Sequence, residues 1–220
     1  MRPRFSFFGS AVRPEFWRRV VEALDQNESD YEIVFRGNVP PAPDQECPQI
    51  RWTYDDSSAT ECWELASREC SGELVSLLVD DYEYSPGCLD ECWERWNAGG
   101  RDPMHVVSPR YVLDGEDRTS PGMPVGGFYE RGFYRSLGGA DRRFAGVAAD
   151  VDIAMRAVFE RGARVEHCGP GHITERRDWY APEYTSLSQK FESTDHAFIQ
   201  QLWVLDGNGW RRTAALEPIA

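Results

Sequence analysis

Apolar and polar positions along the first part of the chain follow two rhythms. Arg4–Phe8 is a short aromatic-rich run that reads as a strand, and Gly9-Ser10-Ala11 turns the chain out of it. Pro14-Glu15-Phe16 then opens a helix, with Pro suited to its first turn and an acid beside the positive end of the dipole. Phe16, Val20, Val21 and Leu24 recur at helical spacing, while Arg18, Arg19 and Glu22 fall largely on the other side. Tyr31–Phe35 is the next strand. Strand, helix and strand make a βαβ unit, so the fold begins as α/β with a parallel sheet.

The stretch after Phe35 carries four prolines (Pro40, Pro41, Pro43 and Pro48), which excludes a helix or a central strand. Ile50–Thr53 reads as a third strand, Tyr54–Ala59 as a polar loop, and Thr60–Cys70 as a helix that Ser71-Gly72 ends. Leu74–Glu83 is the most telling stretch: five of its first six residues are apolar, and it closes in Asp80, Asp81 and Glu83. A short apolar run of this kind reads as a buried strand, and carboxylates at its C-terminal end lie where open α/β sheets place ligands. Two readings fit. Adjacent acids repel unless a cation or hydrogen-bond donors compensate, which points to a divalent metal site that also handles a phosphorylated ligand. The other reading is an acidic loop after a core strand.

Further on, Leu89–Trp96 reads as a helix with Asp90 and Glu91 early and Arg95 late, as the dipole prefers. His105–Leu113 reads as one or two short strands, and Asp114–Gly127 is rich in turn formers, a candidate mobile active-site segment. Phe128–Leu137 fits a short helix. Asp150–Arg161 fits a longer one, with Val151, Ala154, Met155 and Val158 as its apolar stripe. Ala163–Cys168 returns as a strand, and a last helix falls around His196–Leu202. With no internal repeat and no linker, residues 1–220 read as a single α/β domain with a mostly parallel central sheet and helices on both faces. Residues 176–220 read as a C-terminal helical extension.

Composition narrows the function classes. The formal net charge of −13 sets a surface field that repels phosphate backbones, so no extensive nucleic-acid surface is expected. Lys190 is the only lysine. Six cysteines occur without paired zinc spacing, although Cys88 and Cys92 stand four apart and can face one another on a helix. They read as reduced thiols of a cytoplasmic protein. No apolar run approaches the roughly 18 residues that span a bilayer, so no membrane span is expected.

Three blocks resemble the family 2 glycosyltransferases with a GT-A fold: FSFFGSAVRPEFWRRVVEALDQNESDYEIVF, SGELVSLLVDDYEYSPGCLDE and LGGADRRFAGVAADVDIAMRAVFERGARVEHC. They occur in the family's order and spacing over roughly residues 4–175. The resemblance implies transfer of a sugar from a nucleotide-sugar donor to an acceptor hydroxyl, with inversion, assisted by Mn²⁺ or Mg²⁺. The acceptor stays open among a glycan, a small molecule, a protein and a modified nucleobase.

The resemblance also assigns residues. Asp81 would be the direct metal ligand, and Asp80 would contact the ribose or the metal's water shell. The usual third acid is Tyr82 here, which leaves Glu83 as a possible substitute. His172, after the later strand, would be a third ligand, whereas His105, His167 and His196 read as structural or surface residues. Asp150 would be the general base, with Asp152 the second candidate; Asp150 is equally suited to cap the helix that follows. Ser10 and Arg13 would flank the base and ribose. Arg36 would meet either phosphate or a surface carboxylate. The family's Glu before the base is Ala149 here, and its Ala-Arg-Asn triplet is Cys62-Trp63-Glu64. Alternatives to a transferase of this kind are a nucleotidyltransferase and a catalytically inactive nucleotide-sugar-binding module.

Overall fold

The computed structural model describes residues 2–11, 13–176, 179, 193–207 and 209–213. Two sheets share the architecture. The first holds β1 (Phe5–Ser10), β2 (Tyr31–Gly37), β3 (Ile50–Tyr54), β4 (Leu74–Leu77) and β8 (Tyr129–Glu130), in the order β3-β2-β1-β4-β8. Its first four strands are parallel, and β8 closes the β4 edge antiparallel. The second sheet runs β5-β9-β6-β7, with β5 (Tyr82–Tyr84), β6 (His105–Leu113), β7 (Glu116–Asp117) and β9 (Arg164–Glu175). A bridge between Val107 and Phe128 ties the two together.

The first sheet is apolar on both faces because its strands are. Phe5, Phe7, Ile33, Phe35 and Leu74 enter one core with α1 (Trp17–Leu24) and α3 (Cys88–Ala98). Phe8, Val34 and Val75 enter the other with α2 (Ala59–Glu69), α4 (Arg131–Ser136) and α5 (Ala149–Met155). Such strands read as near-continuous hydrophobic runs, as expected of a parallel sheet covered by helices. Phe7 is fully enclosed, and truncating such a phenylalanine to alanine costs about 3–5 kcal/mol. The α/β class, the parallel sheet and the opening βαβ unit read from the sequence are all found.

Other expectations are corrected in detail. Leu74–Glu83 is not one strand: β4 stops at Leu77, and the chain crosses through Leu78–Asp81 into β5 of the second sheet. Ala163–Cys168 is only the first half of β9, which passes through Gly169-Pro170-Gly171 to Glu175. A register shift in β6 between Ser108 and Arg110 accommodates that passage. His105–Leu113 is a single strand. Phe128–Leu137 begins as β8 before turning helical. The helix of Asp150–Arg161 is α only to Met155 and a π-turn over Arg156–Glu160. Residues 193–202 form α6, followed by a hairpin of β10 (Trp203–Asp206) and β11 (Gly209–Arg212) that the pattern reading had not anticipated.

The cysteines among the described residues are free thiols, and only Cys47 is not buried. No helix among the described residues is long and apolar enough to cross a membrane.

Candidate active site

Parallel strands deliver their C-terminal ends to one edge, and the polar residues singled out above gather there. Ser10 ends β1, Arg36 lies near the end of β2, and Asp80 and Asp81 lie in the crossing after β4. Leu78 N–H still bonds Phe8 carbonyl at 2.8 Å, and Tyr82 N–H closes a turn onto Val79 carbonyl at 3.0 Å. The two aspartates are therefore fixed between two ladders rather than on a free loop.

Both carboxylates are buried, each 2% exposed. Arg13, from the turn after β1, donates to Asp80 Oδ1 and lies 3.8 Å from Asp81 Oδ1. Asp80 Oδ2 and Asp81 Oδ1 have no hydrogen-bond partner among the described residues. Burial pushes both acids up, against the pull of Arg13. Asp81 reaches about 7, raised further by Asp80 and Glu175.

A narrow cavity lies beside Tyr82, the residue after Asp81. Tyr82 and Asp150 both line it, with Phe8, Leu77, Tyr129 and Tyr134 among the other walls. Gly126 also lines it, in the left-handed region (φ +59°), where an added Cβ would come within 2.5 Å of Ile173 Cδ1. Asp150 is in the first turn of α5, and the N-cap is Ala148, which makes no side-chain capping bond. The Asp150 carboxylate instead meets its own and Val151's N–H groups in that first turn. Enclosure raises its pKa, partly offset by its own and Val151's N–H groups. Tyr82 is held well above its usual range by burial and then by the Asp150 charge.

The structure thus brings Arg13, Asp80 and Asp81 together and places Asp150 on the cavity that Tyr82 shares. Ser10 ends β1, its Oγ accepting from Trp63 Nε1 at 3.1 Å. Trp63 stands where the resemblance marked a departure. Four other residues are engaged with partners outside this group. Arg36 bonds Asp55 at 3.0 Å and also Glu69, so it meets carboxylates. Glu83 pairs with Arg176 and is more exposed than its buried strand neighbours Tyr82 and Tyr84. Successive strand residues face opposite sides, so Glu83 points away from the face Tyr82 occupies.

His172 bonds Ser85 through its backbone and sets its Nδ1 3.0 Å from Pro170 carbonyl. It stands three residues before Glu175, which is the partner of Tyr82 across β5–β9. At the strand rise this is roughly 10 Å from the aspartate end. Asp152 is fully buried, bonding Arg156 Nε and Trp203 Nε1, each at 2.9 Å, with Arg212 at 3.6 Å.

One acid was not singled out from the sequence. Glu175 ends β9 opposite Tyr82, accepts from Tyr111 hydroxyl, and raises the Asp81 pKa. Reading β9 through its Gly-Pro-Gly break would have put Glu175 beside the aspartates.

Among the described residues no three His, Cys, Asp or Glu side chains meet as a ready-made metal cage. Two buried carboxylates with unpartnered oxygens nevertheless fit a hard divalent cation. Mg²⁺ in particular is usually bound by one or two carboxylates, with substrate phosphates and water completing its shell.

No protein-family model matches the chain, and no curated protein sequence matches it. Solved structures do. TarS of S. aureus, residues 1–349, superposes with a TM-score of 0.62 at 10% identity, covering 78% of this chain and 60% of that one. A longer structure of TarS gives 0.63 at 10% identity, covering 78% of this chain and 36% of that one. TarS 1–349 in complex with UDP gives 0.61 at 10% identity, covering 87% and 65%. The chain therefore spans less than two thirds of the length of each. At this identity the likeness is one of fold, and it agrees with a GT-A-like α/β domain.

Proposed function

We propose that the chain is a nucleotide-sugar transferase that moves a sugar from a nucleoside diphosphate donor to an acceptor hydroxyl. The observation that carries this reading is the continuity of the site. A buried Asp80–Asp81 pair beside Arg13 immediately precedes Tyr82, which lines a cavity with Asp150. A place for the diphosphate and a base for the acceptor thus adjoin. The fold likeness to TarS, with one structure in complex with UDP, supports the same reading and favours UDP as the nucleotide.

Asp150 accepts the proton of the acceptor hydroxyl as that oxygen bonds to the anomeric carbon. The bond from this carbon to the diphosphate breaks, and its electron pair leaves with the diphosphate. A single displacement inverts the carbon. Asp80 and Asp81 would hold Mg²⁺ or Mn²⁺, which supplies positive charge against the leaving diphosphate. Arg13 stands beside the pair, and its guanidinium fork matches phosphate oxygens. Enclosure of Asp150 raises its affinity for a proton, which strengthens it as a base.

Incubating the protein and Mn²⁺ with UDP-, GDP- and dTDP-sugars, and measuring nucleoside diphosphate release, tests the reading. Release from one nucleotide class, stimulated by the cation, is expected. Absence of release from every donor, together with no binding of any nucleoside diphosphate, would overturn it.

A further inference from the structure

The chain reaches Asp150 through residues 137–148, which lie between α4 and α5 and contain no strand or α-helix. Buried side chains hold this segment in place of a backbone ladder. Arg156 donates to the carbonyls of Leu137 and Gly139, the latter at 2.6 Å. Ala140 N–H donates to Glu64 Oε2 at 2.9 Å. Gly139 is in the left-handed region (φ +72°), and a Cβ there would come within 1.8 Å of the same Glu64 oxygen.

The last part of the segment is held from outside the sheet. Ala145 N–H lies 3.1 Å from Asp195 Oδ2, and those of Gly146 and Val147 lie 2.9 Å from it. Asp195 is 2% exposed and is carried by α6. On the same helix, Phe198 packs edge-on against Phe144 at 4.8 Å between centroids and lies under Arg143 at 5.0 Å. Directly after the three amides, Ala148 takes a left-handed conformation (φ +62°), and its carbonyl accepts from Asp152 N–H at 3.0 Å to begin α5. A β-carbon disfavours that conformation, so the bend requires support from its surroundings.

We propose that Asp195 is a positioning residue: its carboxylate clamps the N–H groups of 145–147 and so fixes the bend that aims Asp150 into the cavity. Consecutive N–H groups converging on one point form a natural anion site. Bonds from them to an ionised carboxylate are roughly twice as strong as neutral ones. The element read from the sequence as an appended helix thereby becomes part of the acceptor side. This inference rests on the reading of Asp150 as the base.

The test compares wild type, Asp195→Asn and Asp195→Ala in the full chain. Four readouts apply: hydrogen exchange at 145–147, UDP affinity with Mn²⁺, kcat with the best donor, and melting temperature. Exchange at these amides should rise about tenfold or more in Asp195→Ala, while the β1, β2 and β4 amides stay protected. The kcat should fall on the order of 10²-fold with UDP affinity unchanged, since a misplaced base costs that much. Asp195→Asn, which keeps the shape and one acceptor oxygen, should fall between and carries the test if the alanine variant does not fold. A merely structural role would lower the melting temperature and leave kcat, measured well below it, at the wild-type level. That result, or unchanged exchange at 145–147, overturns the proposal. A wild type that transfers no sugar contradicts the transferase reading instead, and the exchange data then decide the clamp on their own.

Discussion

Arg13 donates a hydrogen bond to Asp80 Oδ1 and stands 3.8 Å from Asp81 Oδ1, so one guanidinium offsets two buried carboxylates. Removing one partner of a buried ion pair costs about 3–5 kcal/mol, because the remaining charge is left uncompensated. Arg13→Ala should therefore lose stability on this scale in EDTA and regain much of it with millimolar Mg²⁺ or Mn²⁺. Urea denaturation with and without the cation measures this. Equal stability under both conditions would contradict the assignment of a cation to the pair.

The same burial sets a pH dependence. Asp81 is raised to about 7 in the folded state by burial, then by Asp80 and Glu175, against an ordinary value of 3.8. Between roughly pH 4 and 7 the native state holds a proton that the unfolded chain has released. Stability from this group is fully present below the unfolded value and is lost as pH rises through 7. The loss amounts to at most about 4 kcal/mol. The metal-free protein should thus denature at lower urea concentration at pH 8 than at pH 5.5, and Asp81→Asn should reduce the difference. An undiminished slope in that variant would assign it elsewhere.

Asp150 lines the cavity from the first turn of its helix, whose N-cap is Ala148. Asp150→Asn should lower kcat by about 10²–10⁴-fold, the usual contribution of a positioned base. UDP affinity and melting temperature should stay near wild type. Normal turnover in Asp150→Asn would remove it from the chemistry.

Asp152, two residues on, serves the fold. Its carboxylate lies between Arg156 and Trp203, both buried. Asp152→Ala should destabilise the protein by about 3–5 kcal/mol by stranding Arg156. Surviving folded protein should still bind UDP. Loss of turnover without loss of stability would instead favour Asp152 as the base.

Much of this was legible in the sequence, for physical reasons that differ from element to element. The first βαβ unit was readable because Phe5–Phe8 and Tyr31–Phe35 are apolar on both faces and Trp17–Leu24 on one. The Asp80–Asp81 pair stood out in the sequence because it directly follows a buried apolar run, near the edge where α/β sheets place ligands. Leu74–Glu83 misled in one respect: hydrophobicity does not record a change of sheet, so Asp80 and Asp81 lie in the crossing and Glu83 on the next strand. The Gly169-Pro170-Gly171 break hid Glu175, since the pattern does not show that β9 resumes beyond it. The Asp195 clamp had no sequence signal, because it joins residues 48–50 apart through a loop with no periodicity.

The central claim is that Asp80 and Asp81 build a cation-assisted diphosphate site next to Tyr82, which lines the cavity with Asp150. Calorimetric titration of UDP into wild type and Asp81→Asn, each with Mn²⁺ and with EDTA, tests it most directly. The account predicts binding by wild type that is stronger with Mn²⁺ and loses that dependence in Asp81→Asn. UDP binding that ignores both the cation and the substitution, or no binding to wild type with Mn²⁺ present, would contradict it.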